Sequence, residues 1–133
     1  MKKYIVIGNP IKHSLSPLLH NYWIKKHNIV AEYGKEKLET DNLKDLVNKI
    51  KNNEISGINV TVPFKQEIIP FLEKLSPEAE NTGSVNTIYL DKKAVVGHNT
   101  DIEGFKLSII NSKYDVKGKK IFILGAGGVV PSI

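Results

Sequence analysis

The sequence of 133 residues contains no cysteine, which excludes disulfides, thiolate nucleophiles and cysteine metal sites. It also lacks a long apolar run. The first such run, residues 4–7, ends at Gly8-Asn9-Pro10, far short of a signal-peptide core or a membrane span. The histidines have no metal-ligand spacing with carboxylates, and we assign no metal to His13, His20, His27 or His98. We therefore expect a cytoplasmic protein without a membrane partner.

The charge is positive but is not concentrated in one part of the chain. The net charge is +5, and 41% hydrophobic with 25% charged residues is a composition that supports a packed core. The lysines are spread along the sequence and accompany no recognised nucleic-acid motif. They are consistent with a solvated surface and an attraction for small anions, so we expect no nucleic-acid partner. The oligomeric state stays open.

Apolar, β-branched runs alternate with helical patterns along most of the chain. Strands are predicted at residues 4–7, 31–38, 55–62, 84–90 and 94–96, the last two joined by a turn at Asp91-Lys92. Helices are predicted after an N-cap at Ser16, after a cap at Asp41-Asn42, at residues 65–75 with a partial break at Pro70, and at about 101–111. The first helix would carry one apolar face of Leu18, Leu19, Tyr22 and Trp23, and the second has Leu43, Leu46, Val47 and Ile50 at helical spacing. This order predicts an α/β fold: a mostly parallel sheet flanked by helices, with an antiparallel pair near one edge.

A polar, turn-rich stretch at residues 113–119 predicts a domain boundary. Residues 120–124 (Lys-Ile-Phe-Ile-Leu) form an apolar run that predicts a new buried strand. A βαβ unit needs about thirty residues or more, so it cannot be completed before Ile133. We therefore expect a substrate-binding α/β domain at residues 1–112. Residues 113–133 would hold a linker and the truncated start of a Rossmann-type dinucleotide-binding domain.

The glycine-rich turn after this strand matches the beginning of a dinucleotide fingerprint. The candidate residues for approach to a cofactor pyrophosphate are Gly125, Ala126, Gly127 and Gly128. Val130 occupies the third position of the fingerprint, where Gly or Ala is usual. A plain glycine turn is the alternative interpretation.

Ser14 and Ser16 place two hydroxyl groups beside a predicted helix N-terminus. Both could donate hydrogen bonds to a carboxylate, together with the unpaired N–H groups of the first turn. The alternative is that Ser16 only caps the helix and Ser14 is an ordinary loop residue.

Polar residues also follow the later strands. Thr61 and Lys65 lie after a buried strand, at the end where open α/β sheets bind ligands, and a lysine there can protonate a developing alkoxide. Asn86 and Asp101 are placed to bind sugar-like hydroxyl groups, although Asp101 is also a credible N-cap of its own helix.

Five motifs in this order resemble the shikimate dehydrogenase family. They are Ser-x-Ser-Pro at residues 14–17, Asn-Val-Thr-x-Pro-x-Lys at 59–65, Val-Asn-Thr at 85–87, Asn-Thr-Asp at 99–101 and Gly-Ala-Gly-Gly at 125–128. The resemblance implies reversible, NADP-dependent reduction of 3-dehydroshikimate to shikimate, in the chorismate route to aromatic amino acids. It further implies that Ser14 and Ser16 bind the substrate carboxylate, Thr61 closes that pocket, Asn86 binds a ring hydroxyl, and Lys65 and Asp101 form the catalytic pair.

Family members are about twice this length, so the resemblance implies an N-terminal fragment with at most weak shikimate binding and no clear turnover alone. The motifs do not separate shikimate from quinate, or NADP from NAD. A non-catalytic binding module is a further alternative, but it would not require both Lys65 and Asp101. One end of a multifunctional polypeptide is another.

Overall fold

The computed structural model describes all 133 residues and contains one six-stranded sheet. The strands are β1 (Lys2–Gly8), β2 (Ala31–Lys37), β3 (Gly57–Val60), β4 (Lys74–Leu75), β5 (Thr87–Asp91) and β6 (Ala94–His98). The helices are α1 (Ser16–Lys26), α2 (Leu43–Lys51), α3 (Phe64–Glu67), α4 (Pro77–Thr82) and α5 (Asp101–Ser112). Short 3₁₀ helices lie at Thr40–Asn42, Ile69–Phe71 and Val130–Ser132.

The strand order is β2-β1-β3-β5-β6-β4. β1 pairs in parallel with β2 and β3, and β6 pairs in parallel with β4. β5 is antiparallel to both of its neighbours, β3 and β6. The predicted α/β class and mostly parallel sheet are thus confirmed, with the antiparallel strand lying inside the sheet. The polar second strand lies at an edge, where its outward side chains stay exposed.

The main core lies between the sheet and α2. It contains 16 buried apolar residues, among them Ile7 of β1, Ile58 of β3 and Ile88 of β5. All four apolar residues that the helical spacing singled out in α2 are buried: Leu43, Leu46, Val47 and Ile50. By contrast, the apolar side chains predicted to share one face of α1 are largely exposed in this chain: Leu18, Leu19, Tyr22 and Trp23.

The helix predicted at residues 65–75 is wrong over most of its length. α3 ends at Glu67, a 3₁₀ turn follows, and Lys74–Leu75 form β4 beside β6. Pro70 lacks the N–H that a continuing helix would use, which explains the early end. Residues 74–75 form a strand because they pair with β6, more than twenty residues later in the chain. Local propensity cannot reveal such a distant partner.

The starts of α1 and α5 differ by one residue from the predicted caps, whereas the predicted cap of α2 at Asn42 is confirmed. Ser16 is the first residue of α1 and Leu15 is its cap, and Asp101 is likewise the first residue of α5, after Thr100. Asp41-Asn42 lies within a 3₁₀ turn, and Asn42 caps α2 without a side-chain hydrogen bond. The sequence analysis missed α4, although Ser76 gives the usual signal: its Oγ accepts from the Ala79 N–H at 3.3 Å.

The predicted strand at residues 120–124 is also wrong. These residues belong to no strand, and Phe122 and Leu124 are 86% and 99% exposed. A strand requires hydrogen bonds from a neighbour, and no strand of the sheet pairs with this segment. The helix expected after the glycine turn is likewise replaced by the 3₁₀ turn at Val130–Ser132. No helix in the structure has the length and apolarity needed to span a membrane.

Candidate functional site

The carboxyl ends of β1 and β3 bring two of the predicted segments together. The backbone N–H of Thr61 donates to the Ile7 carbonyl and that of Asn9 to the Val62 carbonyl, both at 2.9 Å. Gly8 permits this approach, because a Cβ at that position would lie 2.6 Å from the Thr61 methyl carbon. The loop after β1 is thereby held beside the loop after β3.

Ser14, Ser16 and Thr61 line one cavity of about 270 Å³ in this region. The backbone N–H of Ser16 donates to Ser14 Oγ at 3.3 Å, which leaves the Ser14 hydroxyl proton free to point elsewhere. Ser16 opens α1, a helix of 11 residues. Hydroxyl donors beside the positive end of a helix dipole are suited to a carboxylate ligand.

Lys65 and Asp101 form an ion pair. Lys65 Nζ donates to Asp101 Oδ2 at 2.6 Å, and the two side chains are only 13% and 25% exposed. α3 starts immediately after the loop that follows β3 and supplies Lys65, whereas α5 supplies Asp101 from its first turn. The two residues are 36 positions apart, so only the tertiary fold creates this pair.

Asn86 joins the same cluster from the start of β5. Its Nδ2 donates to Asp101 Oδ1 and to Thr100 Oγ1, each at 2.8 Å. Its Oδ1 accepts from the backbone N–H of Thr100 at 3.1 Å. Each oxygen of the Asp101 carboxylate therefore has a donor, one from Lys65 and one from Asn86.

Thr61 connects the two groups of residues. A second cavity of about 450 Å³ is lined by Thr61, Lys65 and residues of the glycine turn, including Gly127 and Gly128. The hydroxyl-lined cavity and the ion pair therefore lie at the same edge of the sheet, beyond the carboxyl ends of its parallel strands. Open α/β folds bind ligands at this edge.

The glycine turn is only partly in place. An ideal Cβ on Gly128 would lie 3.5 Å from Lys65 Cβ, and the Gly128 carbonyl accepts from Ser84 Oγ at 2.7 Å. Gly125 and Ala126 do not line the cavity. Residues 120–124 before the turn form no strand, and Val130–Ser132 after it form a 3₁₀ turn. These residues therefore do not form the helix N-terminus that a dinucleotide pyrophosphate requires.

Three residues that support this cluster were not among the predicted site residues. Asn59 Nδ2 donates to Thr87 Oγ1 at 3.2 Å, and Asn59 Oδ1 accepts from the Tyr33 hydroxyl at 2.6 Å. Thr87 Oγ1 in turn donates to Asn86 Oδ1 at 3.0 Å. Alternation along a strand was an available signal for Asn59, since residues two apart point to the same side and Thr61 was already a candidate.

Burial changes the acid–base behaviour of two rings near β2. Loss of solvent raises the pKa of the Tyr33 hydroxyl to about 12, which extends the pH range over which it stays a proton donor. The His20 ring stacks on Tyr33 with centroids 4.2 Å apart, and burial lowers the pKa of that imidazole. Tyr33 therefore lies in a well-packed environment.

Comparison with known proteins identifies the family. The model of the shikimate dehydrogenase substrate binding domain matches residues 6–88. The chain is 59% identical over 132 residues to the shikimate dehydrogenase (NADP(+)) of Pelagibacter ubique, a match that covers 99% of this chain and 50% of that protein.

Solved structures agree. Shikimate dehydrogenase 1 from Peptoclostridium difficile superposes with a TM-score of 0.92 at 36% identity, covering 99% of this chain and 50% of that one. Shikimate 5-dehydrogenase from Thermus thermophilus, in complex with NADP(H) and shikimate, gives 0.90 at 29% identity, covering 100% and 50%. The chain thus spans about half the length of the relatives it matches. Because the domain model matches more than half of its residues, this chain belongs to the shikimate dehydrogenase substrate-binding domain family.

Proposed function

We propose that this chain is the substrate-binding half of an NADP-dependent shikimate dehydrogenase. The observation that carries the proposal is that the cavity of Ser14, Ser16 and Thr61 adjoins the Lys65–Asp101 ion pair at one edge of the sheet. The first group is suited to an anionic carboxylate and the second to a carbonyl or hydroxyl group. Shikimate carries a carboxylate and ring hydroxyl groups, and the similar proteins are named as shikimate dehydrogenases.

In this proposal Ser14 and Ser16 donate to the substrate carboxylate, and Thr61 closes the pocket between the carboxylate and the reacting carbon. Asn86 binds a ring hydroxyl by exchanging its bond to the Thr100 hydroxyl for one to the substrate, while its bond to Asp101 keeps the amide oriented. Preorganised donors lose little entropy when the substrate arrives, so they favour both affinity and correct placement.

Lys65 would supply the proton of the reaction. In the whole protein, bound NADPH would supply the hydride that reduces the carbonyl carbon of 3-dehydroshikimate. The oxygen then gains negative charge and takes a proton from the Lys65 ammonium. Asp101 Oδ2, 2.6 Å from Lys65 Nζ, orients this group, which a non-catalytic binding module would not need.

We further propose that residues 1–112 form the substrate domain and that residues 113–133 begin the dinucleotide-binding domain with Gly125, Ala126, Gly127 and Gly128. Residues 120–124 form no strand before the glycine turn, which supports the expectation that this chain alone holds the cofactor poorly. We therefore expect no clear turnover when the chain is mixed with shikimate and NADP. Steady turnover by the purified chain would contradict this expectation.

Calorimetric titration tests the binding proposal. The chain should bind shikimate saturably, and the methyl ester of shikimate more weakly, because the ester has lost the carboxylate charge. Ser14→Ala combined with Ser16→Ala should weaken binding of shikimate and remove most of this preference over the ester. A separate titration with NADP should give no saturable signal.

The control is Ser108→Ala, since the Ser108 hydroxyl donates only to the Phe105 carbonyl on the exposed side of α5. It should bind shikimate like the parent chain. Equal affinity of the folded parent chain for shikimate and its ester, or no binding of either, would reject the assignment of Ser14 and Ser16.

Kinetics in a polypeptide that carries both halves tests the role of Lys65. Lys65→Ala should lower kcat far more than it weakens shikimate binding, because the ammonium acts mainly on the developing alkoxide. Lys44→Ala, on the exposed side of α2, is the matched control. Equal losses in kcat and binding would instead assign Lys65 to substrate binding alone.

A further inference from the structure

A single hydrogen-bonded relay runs from the edge of the sheet to the Asp101 carboxylate. The Tyr33 hydroxyl donates to Asn59 Oδ1 at 2.6 Å, and Asn59 Nδ2 donates to Thr87 Oγ1 at 3.2 Å. Thr87 Oγ1 donates to Asn86 Oδ1 at 3.0 Å, and Asn86 Nδ2 donates to Asp101 Oδ1 at 2.8 Å. Every step has its donor on the Tyr33 side and its acceptor on the Asp101 side.

Fixed groups at both ends determine this direction. Near Asp101, the backbone N–H of Thr100 donates to Asn86 Oδ1, so Nδ2 must face the carboxylate. A hydroxyl has one proton, and when Thr87 donates it to Asn86 the oxygen is left to accept from Asn59. Asn59 Nδ2 also donates to the Asn86 carbonyl at 3.3 Å, which turns its Oδ1 toward Tyr33.

The Tyr33 end is held firmly. The Asn21 side chain bonds to both the N–H and the carbonyl of Tyr33, at 3.0 Å and 2.7 Å, and His20 stacks on the ring. Tyr33 is 7% exposed, and its protonated hydroxyl can only donate when it meets a carbonyl oxygen. The relay therefore starts from a donor that these contacts hold in place, and each hydrogen bond orients the next side chain as far as Asp101.

We propose that Thr87 is a positioning residue, whose hydroxyl fixes the Asn86 amide for recognition of a substrate hydroxyl and ties that amide through Asn59 to Tyr33. This inference rests on the proposed function, in which Asn86 binds a ring hydroxyl of shikimate. Thr87 itself touches no substrate in this scheme. Its removal would leave Asn86 Oδ1 with one donor instead of two and leave Asn59 Nδ2 with one acceptor fewer.

Thr87→Val keeps the shape of the side chain and removes the hydroxyl. We expect it to weaken shikimate binding about three- to tenfold, the factor associated with one lost hydrogen bond. Binding of cyclohexenecarboxylate, which has the carboxylate but no ring hydroxyl, should not change. Thr87→Ser restores the hydroxyl and should restore the affinity for shikimate. Thr40→Val is the control, because the Thr40 hydroxyl donates to Glu67, outside the relay.

Side-chain amide NMR of the ligand-free chain tests the relay independently of substrate binding. Thr87→Val should shift the Asn86 NH₂ resonances and increase their fast motion, whereas Thr87→Ser and Thr40→Val should leave them unchanged. Should Thr87→Val fail to fold, Tyr33→Phe removes the first hydroxyl of the same relay and should mobilise Asn59 and Asn86 in the same way.

Unchanged Asn86 resonances in a folded Thr87→Val or Tyr33→Phe chain would overturn the relay. An equal loss of affinity for shikimate and cyclohexenecarboxylate, or no rescue by Thr87→Ser, would overturn the positioning role in favour of simple packing. Absence of shikimate binding by the parent chain would instead reject the proposed function. The NMR measurement would still test the relay, because it uses the ligand-free chain.

Discussion

Replacing Lys65 by Met removes an ammonium group that lies 2.6 Å from Asp101 Oδ2, with the two side chains 13% and 25% exposed. At an effective dielectric constant of about 20, two unit charges at this separation attract each other by roughly 6 kcal/mol before desolvation is subtracted. Desolvation cancels most of that attraction. Removing one partner costs about 3–5 kcal/mol for fully buried pairs, whereas exposed pairs contribute about 0.2–1 kcal/mol.

The intermediate exposure of this pair places the expected cost between those limits. Lys65→Met should lower the free energy of unfolding by about 1.5–3 kcal/mol, and Asp101→Asn by a similar amount. In a double-mutant cycle the coupling between the two changes should be about 1–2 kcal/mol, because the second substitution has no partner left to lose. Urea denaturation followed by circular dichroism measures all four free energies.

The Lys106–Glu103 pair of α5 is the matched control. Its nitrogen and oxygen are 3.9 Å apart and both side chains are more than 60% exposed, so the same cycle should give a coupling below about 0.5 kcal/mol. Added salt should reduce the control coupling and change that of Lys65 and Asp101 much less. Equal couplings for the two pairs, or a Lys65→Met chain more stable than the parent, would refute this reasoning.

Three further predictions concern stability and can be measured by urea denaturation. Leu46→Ala should cost about 2–5 kcal/mol because Leu46 is 2% exposed in the core, whereas Leu18→Ala, at a position 74% exposed, should change stability by less than about 0.5 kcal/mol. Gly97→Ala should lower the free energy of unfolding by about 1–3 kcal/mol, because its Cβ would lie 2.5 Å from a Leu72 methyl group. Gly104→Ala, with open space around it in α5, should raise the free energy of unfolding by about 0.5–1 kcal/mol. Burial raises the pKa of Tyr33 from its ordinary value of 10.0 to about 12 in the folded chain. The unfolded chain therefore loses this proton at lower pH, and the free energy of unfolding should fall as pH rises from about 10 to about 12. Tyr33→Phe should lack that part of the fall, roughly 2–3 kcal/mol, and identical pH slopes for the two chains would contradict the burial of this hydroxyl.

The sequence alone was sufficient for elements whose residues carry the whole signal. The apolar spacing of α2 predicted the four side chains that the core buries, and the run at residues 4–7 predicted the buried centre of β1. Five short motifs in order were also sufficient for the family, because their residue types and order are rarely matched by chance. Local patterns can specify periodicity, turn chemistry and motif order.

The tertiary structure decided what depends on partners far away in the chain. Lys74–Leu75 became a strand only because β6 lies beside them, and residues 120–124 did not become one because no strand pairs with them. The Lys65–Asp101 pair and the relay steps from Tyr33 to Asn59 and from Asn59 to Thr87 join residues that are many positions apart. Hydrogen bonds and ion pairs require distances of about 3 Å between specific atoms. The order of residues along the chain names the candidates, and only the packing of sheet and helices brings their atoms within that distance.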